Sequence, residues 1–252
     1  MIFISNPKFS LTSFEETLRE VEKEFEGWEI LAEKFHGWKY RDEIKDALST
    51  TDIEVQIHAP LNDINIASIN EEIRKASVKE VKKSIKMASM IGARVVTVHP
   101  GLYSPLSVYW DGATELSKKS LRELNEYSEE FGISLALENL PEMWLTMCSS
   151  TEETRDFLQD LEIDFCLDVG HAYTAGELDE FLEFSPVNVH LHDNLGEDDI
   201  HLKLGEGDID FKRALRGLKN YDGNFVIEGR DIDDLLQSKR YLKNLLNEMG
   251  IG

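Results

Sequence analysis

Short apolar runs recur along the chain, each followed by a polar stretch and then by apolar residues at helical spacing. The runs cover 2–4, 28–31, 53–57, 94–98, 134–137, 164–167, 187–191 and 224–227. They are rich in β-branched residues and too short for helices, so they predict strands. Several are nearly continuously hydrophobic. That suits parallel strands covered by helices on one face and packed inside on the other. Between them, Val78, Val81, Ile85, Ala88 and Ile91 draw one stripe at spacings of three and four, predicting a helix over 78–91. Ser77 ahead of Glu80 reads as its capping box, and Gly92 as its stop. The same reasoning predicts helices over 14–25, 40–48, 114–131, 151–161, 177–184, 211–218 and 232–249.

Eight such units in 252 residues average about 31 residues each, the size of a βα unit. The expected fold class is α/β, a (β/α)8 TIM barrel forming a single domain over 1–252. A doubly wound open sheet would show a glycine-rich phosphate loop after its first strand, where Ser5-Asn6-Pro7-Lys8 stands instead.

Composition narrows the partners. The chain carries 27 basic and 49 acidic residues, a net charge of −22, and no basic tract. Such a surface repels nucleic acid at long range, so any nucleic-acid chemistry needs positive charge supplied locally, by metals or a few placed Lys and Arg. No apolar stretch is long enough to span a membrane. The N-terminus lacks a signal-peptide pattern, and the two cysteines, Cys148 and Cys166, are too few for a disulfide framework. A cytoplasmic protein is expected. Nothing in the helix patterns calls for an obligate protein partner.

The chemistry concentrates where the strands end. The last six strands terminate at His58, His99, Glu138, Asp168, His190 and Glu228, and barrel active sites are built from that rim. Asp168-Val169-Gly170-His171 adds an imidazole three residues on, where a glycine turns the chain. Asp199 and His201, two apart, face the same way in an extended segment. His190 and His192 share that spacing, which leaves open which of them is a ligand. Gly205 and Gly207 let the backbone turn close past the site. Carboxylates crowded on one rim with few bases call for cations, and oxygen and imidazole donors without thiolate suggest Zn, Mn, Co or Fe. Four carboxylates with three divalent ions leave a net positive site suited to a phosphate; with two ions the site is near neutral and suits a polyol.

At these residues the sequence resembles the xylose-isomerase-like barrel superfamily, and within it the endonuclease IV family of zinc-dependent apurinic/apyrimidinic endonucleases. The segments that carry the likeness are Ile57-His58-Ala59-Pro60 with Asn65, Val98-His99-Pro100-Gly101, Leu137-Glu138-Asn139, and Asp168 through Gly176. Val189 through Asp193, Asp199-Ile200-His201 with Leu204 through Gly207, and Val226-Ile227-Glu228 complete it. The resemblance implies up to three zinc ions. One would take His58, His99 and Glu138; a second Glu138, Asp168, His190 and Glu228; a third His171, Asp199 and His201. It implies hydrolysis of phosphodiesters at abasic sites in DNA by metal-activated water. Glu138, Glu228, His99 and Lys203 are expected to carry catalysis, with Lys203 and Arg230 contacting phosphate.

The chain also departs from that pattern. Leu61 stands where an aromatic residue is usual, 140–147 replaces a polar glycine-rich loop, and His192 replaces an asparagine. These departures favour a small substrate and keep an alternative in view: a metal-dependent sugar or sugar-phosphate isomerase or epimerase. There Glu138 and Glu228 would transfer the proton, and Trp110 and Trp144 would stack on the sugar or simply pack their loops. A metal- or ligand-binding barrel without catalysis is the third possibility.

Overall fold

A computed structural model of the chain describes residues 1–106 and 112–250. Eight strands, β1 (Ile2–Ser5), β2 (Gly27–Leu31), β3 (Glu54–His58), β4 (Val95–Val98), β5 (Ser134–Glu138), β6 (Asp164–Asp168), β7 (Asn188–Leu191) and β8 (Asn224–Glu228), pair in parallel and in order. β8 closes on β1, with Ser5 opposite Glu228, giving the expected (β/α)8 barrel. Every strand lies within a residue or two of its apolar run.

The helices that cover the barrel are α1 (Phe14–Val21), α2 (Arg41–Leu48), α3 (Glu71–Ile91), α4 (Gly112–Glu129), α5 (Thr151–Leu161), α6 (Val169–Thr174), α7 (Leu178–Phe181), α8 (Phe211–Gly217) and α9 (Ile232–Met249). α3 starts seven residues earlier than its apolar stripe suggests. Asn70 caps it, accepting from the Glu72 amide at 3.1 Å. Ser77 is therefore not a cap. Its hydroxyl donates to the Ile73 carbonyl and accepts from the Asn65 amide, tying the loop after β3 to the helix. Gly92 ends α3 in the left-handed region, as the sequence suggests. α1 and α7 are shorter than their stripes.

Most apolar side chains of the strands point outward, against the helices, and Trp28 stacks on Phe14 at 5.0 Å in the buried layer beneath α1. Part of the barrel interior is polar. Glu29, Gln56, Thr97 and Asn188 meet across it: the Glu29 carboxylate accepts from Gln56 Nε2 at 2.6 Å, Asn188 Nδ2 at 3.0 Å and Thr97 Oγ1 at 3.2 Å. Each buried donor thus finds an acceptor. With a strand period of two, His58, His99 and His190 stand one layer above Gln56, Thr97 and Asn188. The polar layer is the floor of the rim.

No helix among the described residues is long and apolar enough to cross a membrane. Replacing Trp28, 1% exposed, by alanine is expected to cost about 3–5 kcal/mol of folding free energy. Urea unfolding with far-UV circular dichroism would show it as a lowered midpoint at unchanged slope.

Candidate metal centre

All nine ligand positions expected from the sequence converge at the C-terminal mouth, in overlapping groups. His58 Nε2 and His99 Nε2 each lie 3.1 Å from Glu138 Oε2, with the two rings edge to face. Donors bound about 2.1 Å from one tetrahedral ion stand about 3.4 Å apart, so this spacing fits a shared cation. On the other side of Glu138, Oε1 is 3.4 Å from His190 Nδ1, which is 3.3 Å from Glu228 Oε1 and 4.0 Å from Asp168 Oδ2. The third group has His171 Nε2 at 3.4 Å from Asp199 Oδ2 and His201 Nε2 at 3.1 Å from Asp199 Oδ1. Buried Asp168 Oδ2, His190 Nδ1 and Asp199 Oδ1 have no hydrogen-bond partner. Orphaned donors and acceptors aimed at one another are what a metal would satisfy, and the donor set fits divalent ions.

Local sequence explains how these side chains are held. The chain does not turn at Gly170. Instead Asp168 caps α6, its Oδ1 accepting from the His171 amide at 2.7 Å, and the helix carries His171 back over the mouth. His171 Nδ1 is fixed by the Asn139 carbonyl at 2.8 Å, and Asn139 in turn clamps the backbone of Asp168. His58 Nδ1 is likewise fixed by the Ala59 carbonyl at 2.7 Å, leaving Nε2 for the site. His201 does not sit in an extended segment. Its φ is 45°, a left-handed conformation that histidine adopts more readily than most non-glycine residues, and it swings the imidazole back to Asp199. Gly205 and Gly207 wrap Asp193 rather than the metal groups: their amides donate to Asp193 Oδ2 at 2.9 and 3.0 Å. A Cβ on Gly207 would come within 2.3 Å of the Asn194 carbonyl.

Glu29 is not among the residues expected, and His192 is the one the sequence leaves open. Glu29 holds His190 Nε2 at 3.0 Å, orienting it toward Glu138 and Glu228 as an outer carboxylate orients a metal-bound histidine. The sequence signal was a lone carboxylate between Trp28 and Ile30 in an apolar run. His192 does not displace His190; it joins the third group, with Nε2 3.4 Å from Asp199 Oδ1. Lys203 and Arg230 stand apart from the groups, both paired with Glu206, at 3.9 and 3.4 Å. Trp144 is 74% exposed on the loop after β5, so it is not loop packing. Trp110 lies outside the described residues.

The electrostatics are those of cations awaiting replacement. Burial alone would depress the His58 pKa, but the hydrogen bond and charge of Glu138 outweigh it and raise the value to about 9. His171 is raised to about 10, burial being overcome by Asp168 and Asp199, and His201 to about 9, by Asp199 and Glu228. Burial pushes Glu138 up, yet the imidazoles of His190, His99 and His58 hold it well below the usual carboxylate range. Imidazolium ions thus neutralise the carboxylates in the metal-free chain.

Residues 15–245 match the family model of the xylose isomerase-like TIM barrel. The chain belongs to this family. It is 37% identical to an uncharacterised protein of Methanocaldococcus jannaschii, over 94% of this chain and 85% of that one. It is 27% identical to a probable endonuclease 4 of Mycobacterium leprae, over 69% of this chain and 72% of the relative. Among solved structures it superposes on a D-tagatose 3-epimerase-like protein with a TM-score of 0.92 and 32% identity, covering 99% of this chain and 98% of the other. Family likeness thus extends toward both reaction classes raised by the sequence.

The raised imidazole values set a pH dependence. An unfolded histidine titrates near 6.5, so stabilisation by these ion pairs is complete below about that pH and is lost as pH rises through the folded values of about 9 to 10. Metal-free protein is expected to show a urea midpoint that falls between pH 7 and pH 10. Loading with Zn at pH 7 should release protons, because ligating imidazoles must be neutral. Titration calorimetry in buffers of different ionisation enthalpy measures that release; a value of zero would contradict the charge assignment.

Proposed function

We propose that the chain is a divalent-metal-dependent phosphoesterase of the endonuclease IV type, acting on phosphodiesters. One observation carries the reading. Beyond Glu138, Asp168, His190 and Glu228, which would suffice for one metal of a sugar isomerase, the mouth gathers His58 and His99 on Glu138 and a further group at Asp199. Divalent ions held there supply Lewis acidity toward phosphoryl oxygens and make water acidic enough to serve as nucleophile near neutral pH. Zn is the leading candidate, with Mn, Co or Fe compatible with the same donors.

The chain's own residues divide the remaining tasks. Glu138 joins the two neighbouring groups through its two oxygens, and His99, at the more exposed edge, faces solvent and the incoming substrate. Glu228 lies between His190 and His201, at 3.3 and 3.4 Å, where it links the second and third groups. Lys203 and Arg230 share Glu206, and an incoming phosphate competes with that carboxylate for them. A cleft of about 960 Å³ opens among the loops after β1, β2 and β3, lined by Lys8, Lys34, Lys39 and Lys83 together with Glu33, Asp63 and Glu80. Lys83 pairs with Glu80 at 2.6 Å, so the cleft is close to neutral on an otherwise acidic surface. Glu29 adds a fifth carboxylate, so three divalent ions leave the centre only about +1. That modest charge, the net −22 and the aliphatic Leu61 suit a compact phosphodiester or a locally opened abasic site better than an extended duplex track.

A second reading rests on a separate observation. Glu138 Oε1 and Glu228 Oε1 flank His190 Nδ1 at 3.4 and 3.3 Å, so two carboxylates border one metal position. Such a pair can pass a proton between adjacent sugar carbons, with exposed Trp144 stacking on the ring, as similarity to a D-tagatose 3-epimerase-like protein would suggest.

Metal-loaded protein is expected to cut a labelled duplex at a single abasic site, or bis-(p-nitrophenyl) phosphate, leaving a free hydroxyl. His99→Ala should lower that rate at least about 100-fold, by loss of a ligand. Intact phosphodiesters together with exchange of solvent deuterium into a ketohexose, little affected by His99→Ala, would replace the hydrolase by the epimerase.

A further inference from the structure

We propose that His192 is a fourth protein ligand in the His171, Asp199 and His201 group, so that this position is closed to water and substrate and acts as a structural tie. The proposal rests on the metal-centre reading above and adds a role for one residue within it. His192 is fully buried, and neither ring nitrogen has a hydrogen-bond partner. A buried imidazole with both nitrogens unpaired is costly unless something binds it. Its Nε2 stands 3.2 Å from Asp168 Oδ1 and 3.4 Å from Asp199 Oδ1 without a hydrogen bond to either, and its ring stacks on His201 at 4.0 Å. One donor atom from each of the four residues lies within 4.8 Å of all the others.

The fold makes room for this ring at a specific cost. Gly170 sits inside α6, where glycine is unfavourable, and a Cβ there would lie 2.2 Å from His192 Cε1 and 2.3 Å from Nε2. The missing side chain of α6 and the imidazole just after β7 are therefore one feature. The left-handed backbone of His201 brings the last donor to the same point. Three imidazoles and one carboxylate complete a tetrahedral shell, whereas a reactive site keeps a position open. An ion so enclosed would join α6, the end of β7 and the loop carrying Asp199 and His201. The open chemistry would be left to the positions around Glu138.

Crystals of the full chain soaked with zinc and measured at the zinc edge test this on the wild-type protein. An anomalous peak is expected about 2.1 Å from His192 Nε2 and from donors of His171, Asp199 and His201. A peak bound by those three with water in the fourth place, or no peak there, overturns the proposal. Absence of a peak at His58, His99 and Glu138 would instead sink the phosphoesterase reading and leave this one standing. In solution, His192→Asn and Gly170→Ala should each speed release of one metal to a chelator by at least about 100-fold, while His58→Ala leaves that release unchanged. Equal release rates in wild type and both variants would also overturn it.

Discussion

The mouth of this barrel depends on neutralising carboxylates that the fold has taken out of water. Glu29, Glu138 and Asp168 are buried beside His58, His171, His190 and His192. An unpaired charge at such depth is prohibitive, so each carboxylate has to meet a cation, an imidazolium or a metal. The two answers are alternatives at the same atoms. Protonated rings pair with the carboxylates in the metal-free chain, and a bound metal would displace those protons.

This constraint reaches down into the fold. A barrel interior is ordinarily filled by branched apolar side chains. Here its upper layers hold Glu29, Gln56, Thr97 and Asn188, hydrogen-bonded across the barrel from β2, β3, β4 and β7. The network aims the Glu29 carboxylate at His190, and His190 at Glu138 and Glu228. Interior polarity is thus support for the rim. The main apolar core lies between strands and helices, where Trp28, Phe14 and their neighbours pack.

The loops serve the same end by different means. Asn139 ties β5 to β6, Asp193 gathers the amides of Gly205, Gly207 and Ile209, and α6 begins on Asp168 itself. Residues far apart in the chain are brought within bonding distance of Asp199 because these backbone clamps set the paths between them. The substrate face is less tightly specified, with Trp144 and Leu61 exposed above the centre. A rigid floor beneath variable loops is how one family can serve different substrates.

Strand positions were legible in the sequence because runs of β-branched residues recur at the length of a βα unit. The rim ligands were legible because a strand end is a fixed place in a barrel, so His58, His99, Glu138, Asp168, His190 and Glu228 could be assigned to it without a third dimension. Other features needed the closed barrel. Glu29 looks like a solitary charge until β2 is wrapped opposite β7, and Gly170 looks like a turn until the His192 ring fills the space it leaves. Local periodicity determines which residues lie on which face of an element, since that follows from backbone geometry alone. Which faces meet, and hence which buried charges find partners, is decided only when the sheet closes, because those contacts join residues on different strands, as much as 161 positions apart.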